Sequence, residues 1–285
     1  MIFSVARAQD NFFVANFGNN TIEEFNSAGT DLGAFATGLH GPAGLAFDSS
    51  GNLFVANYSN NSIAKYTPGG VGSIFINGGG LKKPVGLAFD ASNNLYAANS
   101  GGVAITKYTP TGLDTGVFFN SGLSSPRGLA FDASGNLYVA NAGNNTIEKI
   151  DPTRHGTVFA SAGLNVPWGL AFDAAGNLYV ANSGNNTIEK FSSTGTDLGT
   201  FASSGLDGPR GLAFDSSGNL YAVNYTNNTV EKFASGGVGM LFATNSLSGP
   251  TAIAAGPIPE PSTWMLVIGG AATLAGLRRR KQAAA

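Results

Sequence analysis

The chain has 285 residues, 43% hydrophobic and only 11% charged, with 41 glycines and no cysteine. It can bury a sizeable core, its solvent face must be made polar by amides and hydroxyls, and disulfides, thiolate metal sites and cysteine nucleophiles are excluded. The formal net charge is −2, but Arg278, Arg279, Arg280 and Lys281 stand together near the end, so residues 1–258 hold eleven cations against sixteen anions. A body of that sign without a basic stripe argues against nucleic acid as a partner.

The amino end, "MIFSVARAQD", offers Ala6-Arg7-Ala8, a small-x-small cleavage pattern. Fewer apolar residues precede it than the roughly 7–15 of a secretory signal. Residues 1–8 are therefore read as the remnant of such a signal, with the natural start expected upstream. In the rival reading "FSVAR" is a worn first strand, which would leave the late segment "TAIAA" redundant.

From residue 9 onward one phrase recurs. Pro-x-Gly-Leu-Ala-Phe-Asp begins at Pro42, Pro84, Pro126, Pro167 and Pro209, with a degenerate copy at Pro250, at spacings of 42, 42, 41, 42 and 41. A fixed period near 40 means a repeat architecture. Within a unit, "GLAFD" and "NLYVAN" are short apolar β-formers joined by Asp-x-x-Gly-Asn, a tight-turn sequence, and so form a hairpin. Gly-Asn-Asn-Thr then turns into "TIEKF", which alternates as a half-exposed strand does, and a fourth strand such as "GTFA" or "GSIF" follows.

Apolar inner strands with polarity rising outward suit a four-stranded blade sandwiched between two others. The predicted fold is all-β: a six-bladed β-propeller of four-stranded antiparallel blades over residues 9–256. "NFFVANFGNNTIEEF", near the amino end, supplies strands two to four of a unit, and "GPTAIAAG" supplies a lone first strand at the other end. Joining them closes the ring and removes exposed edges.

The units resemble the NHL repeat, whose usual form is Pro-x-Gly-Ile-Ala-Val-Asp followed by Gly-Asn-Ile-Tyr-Val-Ala-Asp-Ser-Gly-Asn-Asn-Arg-Ile; Pro126 to Ile147 matches with few changes. One departure is systematic. The family's Asp after "VA" is Asn here, at Asn16, Asn57, Asn99, Asn141, Asn182 and Asn224. The resemblance specifies fold and leaves function open.

Histidine is scarce. His40 precedes a proline and His155 falls near an outer strand, so both read as solvated loop residues, and no Ser/His/Asp set can be assembled. Asp48, Asp90, Asp132, Asp173 and Asp215 precede tight turns and read as turn caps. The ring of Asn could offer amide oxygens to Ca²⁺, but without a carboxylate such a site would be weak. No catalytic residue, metal or cofactor is assigned.

The informative positions are those where the repeats disagree. After the proline the series around the ring is Thr251, Ala43, Val85, Arg127, Trp168, Arg210; after the "VAN" Asn it is Phe17, Tyr58, Ser100, Ala142, Ser183, Tyr225. Three consecutive blades offer Arg127, Trp168 and Arg210, and three offer Tyr225, Phe17 and Tyr58. On one face these would suit a sugar chain bearing carboxylates, through stacking and bidentate pairing; they would equally serve as half-buried residues capping the channel.

The tail, 257–285, has its own organisation. After "GPIPEP" come Trp264 and sixteen uncharged residues, 262–277, then the basic cluster. As a helix this run spans about 24 Å, a short transmembrane segment with its cations on the cytoplasmic side. Pro259, Glu260, Pro261, the apolar run and Arg278, Arg279 and Arg280 resemble a PEP-CTERM sorting signal. That resemblance implies an exosortase-type processing enzyme as partner, a transient inner-membrane anchor, and delivery to the envelope, outer surface or extracellular matrix of a Gram-negative bacterium that makes exopolysaccharide. The functional expectation is an exported binding or scaffold module for glycan or protein, with exopolysaccharide or envelope proteins as partners. The alternative is a propeller enzyme of the streptogramin-lyase or lactonase type.

Overall fold

A computed structural model describes residues 10–256. The amino-terminal segment 1–8, the helix expected over 262–277 and the sorting-motif residues lie outside the described residues. Those described form twenty-four strands, numbered in chain order from β1 (Asn11–Asn16) to β24 (Pro250–Gly256), in six four-stranded sheets. No helix among them is long and apolar enough to cross a membrane.

Blades one to five are continuous, at 42–77, 84–119, 126–160, 167–202 and 209–243. Blade six is composite: its strand order is β24, β1, β2 (Thr21–Phe25), β3 (Asp31–Ala36), with β24 antiparallel to β1 from Asn11↔Gly256 to Asn16↔Pro250. "TAIAA" is thus the closing strand, as expected, and is not redundant.

The gradient from axis to rim follows the sequence pattern. Second strands such as Leu137–Asn141 are wholly buried, third strands such as Thr146–Ile150 are mostly buried, and fourth strands such as Asp197–Ala202 are exposed over most of their length. Blades adhere through a repeated aromatic triplet. Tyr138 of blade three meets Phe159 of its own fourth strand and Phe172 of the next first strand, both edge-on with centroids 4.9 Å apart. Tyr96 and Tyr179 repeat the arrangement, and Phe13 meets Phe35 and Phe47 across the closure. Edge-on geometry places ring hydrogens against the neighbouring π-face and adds to area burial.

At one junction the triplet lacks its third member, because β24 carries Ala255 where the other first strands carry Phe. The gap is filled from the next strand over. Phe12, paired directly with Ala255, stands where other blades have Leu and lies 4.1 Å from the Tyr221 ring, fully buried. One large-for-small and one small-for-large exchange, opposite each other, preserve the volume of the degenerate copy.

First strands carry a further device. In blades two to five the register skips two residues after the proline, from Pro126↔Asn141 to Leu129↔Val139 in blade three, and in blade one it skips one. The bulge brings the following glycine against the next blade: a Cβ on Gly44, Gly86, Gly128 or Gly169 would lie 1.8–2.3 Å from the carbonyl oxygen of Val85, Arg127, Trp168 or Arg210. Only glycine permits that approach, and it draws the blades together around the axis.

The compensation at the closure is testable by a double-mutant cycle. Phe12→Leu should destabilise the protein by about 1–2 kcal/mol in urea unfolding, and Ala255→Phe added to it should recover most of that loss. Additive losses would contradict the pairing.

Candidate functional site

Two sets of loops build the upper face: those entering each blade before the proline, and the Gly-Asn-Asn-Thr turns between second and third strands. The buried Asn at the end of each second strand locks them. Asn182 Nδ2 donates to Thr187 Oγ1 (3.1 Å) and the Gly163 carbonyl (2.8 Å), while its Oδ1 accepts the Asn165 backbone N–H (3.1 Å). Asn224 does the same with Thr229, Gly205 and Asp207, and Asn16 with Thr21, Ser246 and Ser248. In blades three to six an aspartate would have no donor for that loop carbonyl, and in blades one and two the amide of Asn57 or Asn99 donates instead to the Ser62 or Thr106 hydroxyl. These amide oxygens are committed to backbone N–H groups rather than turned towards a cation.

A second Asn links consecutive blades. Asn186, in the left-handed region at φ 58°, accepts the Gly208 N–H at 2.7 Å, and Asn20, Asn61, Asn145 and Asn228 make the equivalent bond. Blade two alone places Val103 at this position.

Held from both sides, the residue after each proline points to the axis. Phe17, Tyr58, Arg127, Trp168, Arg210 and Tyr225 line one cavity of about 210 Å³, together with Ala43, Val85 and Thr251. All six residues singled out in the sequence therefore meet in one cup. It is lopsided: blades three to five supply the Arg127–Trp168–Arg210 wall, and blades six, one and two supply the small residues opposite. The guanidinium carbons of Arg127 and Arg210 lie 4.3 and 4.2 Å from the Trp168 ring centre, and that of Arg210 lies 3.3 Å from the Tyr225 ring. Phe17 and Tyr58 pack edge-on at 5.9 Å.

The electrostatics of the cup are unusual for so acidic a body. Among the described residues Lys65, Lys107, Lys190 and Lys232 pair with Asp48, Asp90, Asp173 and Asp215 at 3.6–3.9 Å, whereas Arg127 and Arg210 pair with no carboxylate. No acid lines the cavity, and the Nε of each guanidinium is enclosed without an acceptor. Burial lowers the pKa of both, and for Arg210 the nearby Arg127 charge adds to the effect of burial. Guanidinium basicity still keeps both cationic at neutral pH.

The other candidates have structural employment. Asp132 Oδ1 accepts the Ser134 and Asn136 N–H groups and Oδ2 accepts Asn136 Nδ2 and Tyr138 Oη. Burial alone would raise its pKa, but these hydrogen bonds outweigh it and hold Asp132 below the usual carboxylate range, as they do Asp90, Asp173 and Asp215. His40 and His155 are exposed and do not line the cup. Among the described residues no three His, Asp or Glu side chains converge to hold a metal.

One contributor was not singled out in the sequence. Lys83, in the loop entering blade two, places its ammonium 5.5 Å from the Tyr58 ring, adding a third cation beside the cup; the signal was a dilysine before Pro84 where no other unit has a lysine or arginine. Thr251, first in the series read from the sequence, has its hydroxyl 2.8 Å from the Pro42 carbonyl and 3.2 Å from that of Ala15, so its single proton is shared between the closing strand's two neighbours.

With this geometry in hand, the likenesses to known proteins fall into place. Residues 39–66, 123–150 and 164–191 match the NHL repeat, and the chain thus carries three such repeats. No curated protein sequence matches it. Among solved structures, a chain of a nidogen–laminin complex is 24% identical, with a TM-score of 0.77 over 87% of this chain and 99% of that one. The virginiamycin B lyase of Staphylococcus aureus is 16% identical, with a TM-score of 0.63 over 80% of this chain and 78% of its own. A protein assigned as a gluconolactonase is 16% identical, with a TM-score of 0.65 over 75% and 81%. At these identities the likeness is one of fold.

The Asn lock predicts a specific loss. Asn182→Asp leaves the Gly163 carbonyl and Thr187 hydroxyl without their donor, and should lower unfolding stability by about 1–3 kcal/mol in urea titration. Unchanged stability would show that the belt is dispensable.

Proposed function

We propose that this protein is an exported propeller serving as a binding or scaffold module at the cell surface or in the extracellular matrix, and that the cup takes an anionic glycan. The observation that carries the reading is the Arg127–Trp168–Arg210 wall: two guanidiniums stacked on one indole, neither neutralised by the protein, facing aromatic rings across a solvent-open cavity. Arginine pairs with carboxylates through two parallel hydrogen bonds, and aromatic faces receive sugar rings by stacking.

The chemistry absent from the cup favours binding over turnover. The virginiamycin B lyase has a catalytically inactive form that carries a single His-to-Ala change. Neither histidine of the present chain lines the cavity, and neither does any carboxylate, so its walls offer no imidazole or carboxyl group for proton transfer, only the phenols of Tyr58 and Tyr225. Another neighbour of this fold is a chain of a nidogen–laminin complex, a ring of this kind engaged in a protein assembly.

Export rests on the tail. Pro259, Glu260 and Pro261, the apolar run and Arg278 to Arg280 act in this reading as an address for an exosortase-type enzyme, before or during transfer to the outer surface. Because the ring closes at Gly256, removal of the tail near Pro259 leaves all six blades intact.

The test is retention of the purified protein by bacterial exopolysaccharide. Wild type should be retained and Arg127→Ala/Trp168→Ala/Arg210→Ala should lose at least about tenfold in affinity, the order expected for two charge-assisted pairs and a stacking face. Equal retention of both would exclude the cup as the binding face.

A further inference from the structure

A glycan-binding cup could grip the middle of a chain, let a chain pass along the axis, or take only an end. The floor excludes passage. Below the cup the axis narrows to a space of about 70 Å³, against about 210 Å³ in the cup, walled by the first strands themselves, their glycine backbone included. A space of that size is too small for a sugar ring to pass along the axis. In blades one to four the glycine after the variable residue lets each first strand lie backbone against backbone with the next, and this close approach keeps the axis narrow.

The size of the cup excludes a long internal stretch. Its volume lies below the roughly 300–1,000 Å³ of pockets that enclose drug-sized ligands, so it accommodates about one ring. Within the lining the charge is placed on one side, while the Lys83 ammonium stands beside Tyr58 outside it. The two guanidiniums stand on the Trp168 wall, the opposite side is Ala43, Val85 and Thr251, and Phe17 and Tyr58 form an aromatic flank. A ring with its acid group at one edge matches this polarity.

We infer that the cup takes a single acidic sugar unit end-on, the terminal or side-branch residue of a glycan, with its carboxylate on the Arg127–Trp168–Arg210 wall and its ring against Phe17 and Tyr58. This rests on the glycan-binding reading above and narrows it from a polymer to its acidic ends. The module then counts chain ends or branches rather than coating a polymer along its length, and a free uronic acid competes with the whole chain.

The experiment uses the full chain carrying Trp264→Phe, which leaves Trp168 as the only tryptophan. Sodium glucuronate is titrated while Trp168 fluorescence is followed, with glucose and sodium acetate as separate arms. Glucuronate should change the emission saturably and bind at least about tenfold more tightly than either control, since it alone supplies both ring and carboxylate. Arg127→Met/Arg210→Met should abolish the change. In parallel, glucuronate should displace the protein from exopolysaccharide. Retention by the polymer that glucuronate cannot displace, with no fluorescence response, would overturn end-on recognition while leaving glycan binding intact. Acetate equal to glucuronate would overturn recognition of the ring. Failure of the polymer to retain wild type at all would fall on the glycan-binding reading itself.

Discussion

The close approach of neighbouring first strands at the axis is the constraint on which the molecule depends. Each glycine after the bulge lets one blade's backbone rest on the next blade's carbonyl, and a methyl group there would collide with it. That contact draws the first strands in around the axis, narrows the floor beneath the cup, and leaves the residue just before each glycine to face the upper cavity. One backbone device, repeated in blades one to five and replaced by Ala252 on the closing strand, thus shapes both the floor and the cup. The identity of the residue before the glycine is left free to vary, and in this chain it varies from Ala43 to Trp168.

Much of this was legible in the sequence because it was repeated. The period near 42, the turn chemistry of Asp-x-x-Gly-Asn and Asn-Asn-Thr, and the split copy at the two ends were enough for the blades, their strand order and the closing strand. The variable positions could be placed together because equal offsets in a closed ring must fall on one face. Less visible was anything that depends on non-repeated partners. Phe12 for Leu and Ala255 for Phe look like unrelated drift until the register sets them opposite each other. The role of the Asn belt is likewise settled by backbone N–H groups of the entering loops, which leave no trace in a motif. The Lys83 ammonium beside Tyr58 belongs to the same class.

Rigidity and function lie in different layers of the same ring. The second and third strands are fixed by aromatic triplets and amide locks, and little in them distinguishes one blade from another. The cup, by contrast, breaks the symmetry, and it does so against local electrostatic economy. Two guanidiniums half-withdrawn from water and near each other carry a desolvation and repulsion cost that stacking on Trp168 and Tyr225 offsets only in part. A residue present merely to cap a channel gains nothing from charge. A residue awaiting an anion does, because the ligand relieves the cost on arrival.

That contrast can be measured without knowing the ligand. Arg127→Met/Arg210→Met keeps the length and apolar contact of both side chains while removing their charge. If the guanidiniums are held for an anion, the double variant should melt higher than wild type in anion-free buffer, by on the order of 2–4 °C. A fall of that size would mean that the charged wall is part of what holds the ring together, and would contradict its reading as a binding site.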